Sequence, residues 1–173
     1  METKRIKLRP WREDDAEVLF KYASDPDVGP RAGWPPHKSV EESLEIIHTV
    51  FNNDTNWAIE LKETGEPIGA IGYLSSEGSK IPAREGEPLA GYWIAKPYWN
   101  QGICTEALKL VIEHVRKTTN IPSLISGHFV ANPASGRVME KCGFVATGET
   151  YFDETQYQGE GKPIRVLRLE IKR

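Results

Sequence analysis

The sequence is short of the residues that would mark a specialised class. Only two of its 173 residues are cysteine, Cys104 and Cys142. Two cannot build a disulfide framework, and their spacing matches no metal-ligand pattern. Both are expected to be reduced, which suits the cytoplasm. No sign of charge dominates. With 22 basic and 25 acidic residues the net charge is −3, which leaves no footprint for nucleic acid. No apolar run approaches the ~20 residues of a membrane span, and the start Met1-Glu2-Thr3-Lys4 does not read as a signal peptide. Internal repeats and low-complexity tracts are absent too. What is present, 39% hydrophobic and 27% charged residues, is ordinary for a soluble globular protein. The length suits one domain with a real core, spanning residues 1–173.

Hydrophobic periodicity predicts the elements in order. Ile6–Arg9 alternates as a first strand. Asp14 and Asp15 are expected to cap a helix that turns Ala16, Leu19, Phe20 and Ala23 inward. Val28–Lys38, with three prolines and two glycines, reads as a stiff loop. In it Trp34 either packs down or forms a wall of a substrate cleft. Ser39 and Glu42 form a capping box for a helix with Leu44, Ile47, His48 and Phe51 inward. Trp57–Leu61 and Ile68–Leu74 are strands joined by a turn at Gly65. Gly69 and Gly72 within the second suggest a bulge or a close backbone approach. Glu77–Glu87 reads as a polar, mobile loop. Leu124–Val130 is a strand, Ala134–Lys141 a short helix, and Phe144–Tyr151 and Ile164–Ile171 a closing hairpin. The helical crossover between the Leu89 and Leu124 strands makes them a parallel pair. The fold class is therefore α/β (α+β): a mixed, mostly antiparallel sheet with one central parallel pair, flanked by helices.

Leu89–Ala107 is the stretch around which the chain is organised. A strand, Leu89–Ala95, is stopped by Lys96-Pro97. Tyr98–Gly102 then leads directly into a helix with Ile103, Ala107, Leu108, Val111, Ile112 and Val115 on one face. The first N–H groups of that helix lack intrahelical partners, and its dipole adds about half a positive charge there. Gly102 removes a side chain where a phosphate would approach. No Lys-Ser or Lys-Thr pair follows the glycine, so this is not a nucleotide-hydrolase loop, and one glycine is too few for the dinucleotide fingerprint. A diphosphate site of bare backbone and an ordinary tight turn both fit.

The run Gly91–Ile94 with Pro97–Ala107 resembles the acetyl-CoA signature of the GNAT superfamily of N-acetyltransferases. The run Asn132–Ser135 with Val138–Phe144 is similar to that family's second signature. With Leu8-Arg9-Pro10-Trp11 and Asp14-Asp15-Ala16, the pattern resembles the branch of ribosomal-protein N-terminal acetyltransferases. The resemblance implies that backbone N–H groups of Gln101, Gly102, Ile103, Cys104 and Thr105 cradle the pyrophosphate of acetyl-CoA. It implies that the backbone of Trp93 and Ile94 runs beside the pantetheine. Asn132 would hydrogen-bond the pantetheine arm, or simply cap its helix. Ser135 would reach the sulfur of the leaving thiol, or be satisfied by backbone. Cys104 departs from the family's Gly or Ala. It is expected to pack as a small apolar residue, or to be oxidation-sensitive through a pKa lowered by the helix terminus.

The reaction implied is direct attack of an amine on the thioester carbon. At pH 7 an α-amine is roughly a tenth neutral, whereas a lysine is neutral in about one molecule in a few thousand. An α-amine therefore needs little more than desolvation, while a lysine needs a committed base. Candidate bases are Glu154, Glu149 and Asp153, and Tyr151 and Tyr157 are alternative proton donors to Ser135. No metal is expected. The partners expected are acetyl-CoA and an amine acceptor, with neither nucleic acid nor membrane, for a monomer or homodimer. A non-catalytic acyl-CoA sensor and an unrelated phosphate-ligand protein are the competing readings. The acceptor pocket is expected among Gly29–His37, Glu77–Glu87 and Tyr151–Lys162, with carboxylates there suiting a cationic acceptor.

Overall fold

The structure, a computed structural model, describes residues 1–172. Seven strands form one sheet in the order β1-β2-β3-β4-β5-β7-β6. They are β1 (Ile6–Arg9), β2 (Asn56–Leu61), β3 (Pro67–Leu74), β4 (Leu89–Ile94), β5 (Ser123–Phe129), β6 (Val145–Phe152) and β7 (Pro163–Glu170). Every neighbouring pair is antiparallel except β4 and β5, which are parallel. The hairpin β6–β7 folds back so that β7, not β6, lies beside β5.

Helices cover both faces. α4 (Ile103–Thr118) and α5 (Pro133–Lys141) pack on one, burying Ile103, Ala107, Leu108, Val111, Val115 and Met139 against the sheet. α1 (Ala16–Ala23) and α3 (Val40–Thr49) pack on the other, over Ala58 and Ala70. Residues 29–32, expected within a loop, form a single helical turn, α2 (Gly29–Ala32), because Pro30 supplies a helical φ in its first turn and Gly33 at φ 87° ends it.

Two expectations for the first half change. His48 faces solvent and meets Glu13 at 2.9 Å, while Ser43 takes the buried place on α3. Asp15 does not cap α1. It is buried and holds Arg9 through two hydrogen bonds of 2.7 and 2.8 Å, and Glu60 of β2 completes the pairing. Gly69 and Gly72 do mark close approach: a Cβ on either would strike a backbone carbonyl, of Trp93 and of Thr55.

The Glu77–Glu87 segment is anchored at its end. The Glu87 carboxylate is buried. It accepts from Ser123 Oγ at 2.6 Å, from Arg168 Nε at 2.7 Å and Nη2 at 3.0 Å, and from the Arg84 N–H at 3.0 Å. Burial alone would raise its pKa, but the Arg168, Ser123 and Arg84 hydrogen bonds outweigh burial and hold it below the ordinary carboxylate value. This one side chain ties the approach to β4 to the start of β5 and to β7.

Replacing Glu87 by Ala should destabilise the protein by about 3 kcal/mol, because the half-buried Arg168 guanidinium and the buried Ser123 hydroxyl lose their partner. The urea midpoint should fall with an unchanged m-value. In the native protein this contribution is present above the unfolded pKa of about 4.3 and is lost as pH falls through the depressed folded value.

Candidate active site

β4 and β5 run together only at their beginnings. Leu89 is opposite Ile125, the Ile125 N–H donates to the Pro88 carbonyl at 3.0 Å, and Ser126 Oγ donates to the Ala90 carbonyl at 2.8 Å. Beyond Ala90 the strands part. Backbone groups alternate in direction along a strand, so those of Tyr92 and Ile94 follow Pro88 and Ala90 toward β5, where no strand meets them. Ile94 spends its carbonyl on Trp99 Nε1 at 2.8 Å. Trp93 differs: its carbonyl turns to Gly69 of β3, and its ring joins the cleft wall.

The fork opens into a cleft of about 570 Å³ that reaches from the start of α4 to the other face of the sheet. At its α4 end the chain turns through Asn100 at φ 59° and Gly102 at φ 76°. The first intrahelical bond is Glu106 N–H to the Gly102 carbonyl at 3.0 Å. The backbone N–H groups from Gln101 to Thr105 make no hydrogen bond among the described residues. Arg5 braces this turn, donating to the Gln101 carbonyl at 3.1 Å and to Glu106 at 2.9 Å. A run of unspent N–H groups at the positive end of a sixteen-residue helix is an anion cradle.

Cys104 lines the cleft, but its thiol is not activated. Burial, with a smaller contribution from Cys142, pushes it up to about 12, opposite to the lowering that one of the two sequence readings would bring. Cys142, whose Sγ donates to the Thr105 carbonyl at 3.5 Å, is pushed up to about 11 by the same cause.

Asn132 precedes α5 without capping it; Nδ2 donates instead to the Arg31 carbonyl at 3.3 Å, across the mouth of the cleft. Ser135 is paired with a residue that the sequence reading passed over. Its Oγ donates to Tyr92 Oη at 3.1 Å, and Tyr92 Oη donates to the Ser135 carbonyl at 2.7 Å. Burial raises the Tyr92 pKa, so the phenol stays protonated. Alternation in Ala90-Gly91-Tyr92 was the available signal, since it places one hydroxyl on an otherwise apolar strand face. His128 also lines the cleft. Its Nδ1 lies 2.8 Å from the Phe129 carbonyl, and its ring sits beneath Gly136, where a Cβ would be 2.5 Å from Nε2.

At the far end Trp34 meets Trp93 edge to face with centroids 5.5 Å apart. Two of the three expected loops converge there: the Tyr157 N–H donates to the Gly33 carbonyl at 2.8 Å, and Gln156 enters the lining. Glu77–Glu87 does not; it borders a separate hollow beside Tyr73 and Leu74. Among the described residues no Asp or Glu lines the cleft. Glu149 and Glu154 are exposed outside it, and Asp153 is buried, accepting from the Thr155 N–H at 3.0 Å. Tyr157 is exposed, whereas burial pushes Tyr151 up to about 12.

The acetyltransferase (GNAT) domain matches this chain over residues 5–145. The chain belongs to the GNAT acetyltransferase family. The uncharacterized N-acetyltransferase YoaA of Bacillus subtilis is 27% identical over 153 residues, covering 86% of this chain and 84% of that protein. A GNAT-family acetyltransferase from Bacillus anthracis superposes with a TM-score of 0.82 at 18% identity, covering 100% of this chain and 99% of that one. Ribosomal-protein-S5-alanine acetyltransferase from Vibrio fischeri gives 0.73 at 17% identity, covering 99% and 96%. Spermidine N-acetyltransferase from Vibrio cholerae, solved with CoA and spermine, gives 0.77 at 15% identity, covering 98% and 97%. These likenesses fix the GNAT fold. The protein is an acetyltransferase, and the family's donor is acetyl-CoA. Among the described residues no helix is long and apolar enough to cross a membrane, and no group of His, Cys, Asp or Glu is gathered to hold a metal.

Native Cys104 should react with iodoacetamide at pH 8 at least about 100-fold more slowly than in the urea-unfolded chain, read by mass spectrometry. The folded pKa lies above the unfolded value of about 8.5. The stability that goes with the buried neutral thiol is therefore complete below that pH and declines as pH rises toward 12.

Proposed function

We propose that this GNAT acetyltransferase transfers the acetyl group of acetyl-CoA to the nitrogen of a primary amine, on a peptide N-terminus or a small molecule, within a single N-acetyltransferase domain of residues 1–173. Both substrates are bound together. The nitrogen lone pair forms a bond to the thioester carbon, the carbon–sulfur bond breaks, the amine loses a proton, and the thiolate gains one. The observation that carries this reading is the fork between β4 and β5. It has an anion cradle at one end, unspent strand-edge amides along its length, and an opening on the opposite face of the sheet.

The residues divide the work by position. The N–H groups of Gln101, Gly102, Ile103, Cys104 and Thr105 hold the pyrophosphate at a helix terminus. Pantetheine amides extend the sheet along the free edge of Tyr92 and Ile94, as an added strand would, with Trp93 supplying its ring rather than its backbone. The Asn132 amide exchanges the Arg31 carbonyl for the pantetheine arm. Ser135 turns its one hydroxyl proton from Tyr92 Oη to the departing sulfur. Trp34 walls the acceptor. A β4 N–H at the fork polarises the thioester carbonyl. Proton removal by Glu154 would have to run through water, because Glu154 lies outside the cleft. That arrangement suits an amine of low pKa better than a lysine.

The lack of a lining carboxylate also suits a non-catalytic acyl-CoA sensor, and turnover separates the two. Calorimetric titration should show micromolar binding of acetyl-CoA. CoA release on adding an amine should give intersecting initial-velocity lines, as a ternary complex requires; parallel lines would mean an acetyl-enzyme instead. Gly102→Glu should abolish acetyl-CoA binding in a folded protein, since a carboxylate would occupy the cradle and the residue before α4 sits at φ 76°. Asn132→Ala should weaken acetyl-CoA about tenfold while leaving 3′,5′-ADP affinity unchanged. Equal loss of both would assign Asn132 to holding α2.

A further inference from the structure

On the face of the sheet opposite α4 and α5, the fork opens between two glycines. A Cβ on Gly91 would meet nothing within 4 Å. Across the gap, a Cβ on Gly127 would come 2.9 Å from Ile164 Cγ2 and 3.5 Å from Tyr151 Oη. The floor is thus bare backbone, and the open room lies over Gly91. Its walls are Trp34, Trp93, Phe129, Ile164 and Val28, with the neutral Gln156 entering from the β6–β7 connection. The charged groups of the lining are Arg31, Arg137 and Lys141, all cationic. Of the carboxylates around it, Asp27 pairs with Lys96, Glu66 accepts from Tyr22 at 2.8 Å, Asp153 is held by Thr155, and Glu154 is exposed to solvent outside the lining.

We infer that the acceptor is a monoamine on an apolar or aromatic frame, with no second positive charge. The inference rests on the acetyl transfer proposed above and narrows its acceptor. The reacting nitrogen must be neutral when it attacks, so one amine can enter an uncharged slot; before deprotonation it can rest against an indole face. Every further ammonium of a polyamine stays charged. In this cleft it would leave water for aromatic walls without meeting a carboxylate, and would stand near Arg31. An apolar frame instead gains by covering Trp34, Trp93 and Phe129. Specificity here comes as much from the missing counter-charge as from the fit.

The test compares 2-phenylethylamine with spermidine by CoA release, in the native protein and in Gly91→Val. Acetyl-CoA affinity is measured separately by calorimetry. In the native protein kcat/KM for 2-phenylethylamine should exceed that for spermidine by at least about 100-fold. Gly91→Val, whose methyls fill the open room, should lower kcat/KM for 2-phenylethylamine at least about tenfold while the acetyl-CoA Kd stays within about twofold. Spermidine used equally well or better would overturn the inference, as would an unaffected Gly91→Val. Failure to bind acetyl-CoA, or binding it without turnover of either amine, would instead take down the acetyl-transfer reading itself.

Discussion

The structure depends on a pair of parallel strands that are held at one end and cannot meet at the other. Glu87 fixes the held end, where one buried carboxylate gathers the approach to β4, the first residue of β5 and a guanidinium from β7. Past Ala90 the backbones diverge, and unpaired amides face each other across a gap. Buried backbone groups without partners are costly. The fork is tolerable because it is open to solvent, and in the acetyl-transfer reading a ligand with amides of its own takes the place of that water. The ion pair thus anchors the end of the fork at which the two strands stay together.

The elements nearest the fork were legible because their signals are local. The apolar spacing of α4, the glycine before it, the crossover that makes β4 and β5 parallel and the close approach at Gly69 and Gly72 all follow from residues within one or two turns. The resemblance to the GNAT signatures rests on the same short runs. What escaped depends on partners far apart in the chain. Arg9 finds Asp15 and Glu60, Glu87 finds Arg168, and Ser135 finds Tyr92. Burial of Cys104 comes from the packing around it, whereas its place at a helix start is visible in sequence. Of the two readings the sequence left open for Cys104, desolvation favours the packed apolar residue over the lowered pKa. His48 has the spacing of the apolar stripe on α3, but a ring nitrogen is better served by Glu13 and solvent than by the core.

Charge is arranged differently at the two ends of the cleft. In the acetyl-transfer reading the backbone N–H groups of Gln101–Thr105 hold the phosphates, and Arg137 and Lys141 are cationic side chains of the same cleft lining. At the acceptor end recognition falls to aromatic area and to the lack of a counter-ion. A site without a committed base places the burden of reactivity on the substrate's own basicity. Desolvation then becomes the chief service the protein provides to the nucleophile.

The empty space above Gly91 separates two things that are usually coupled. Core positions resist change because each side chain is also a packing partner. Here a side chain could be added without moving a neighbour. In the acceptor reading, a substitution at this one strand position would change the room left for substrate without displacing a packing neighbour.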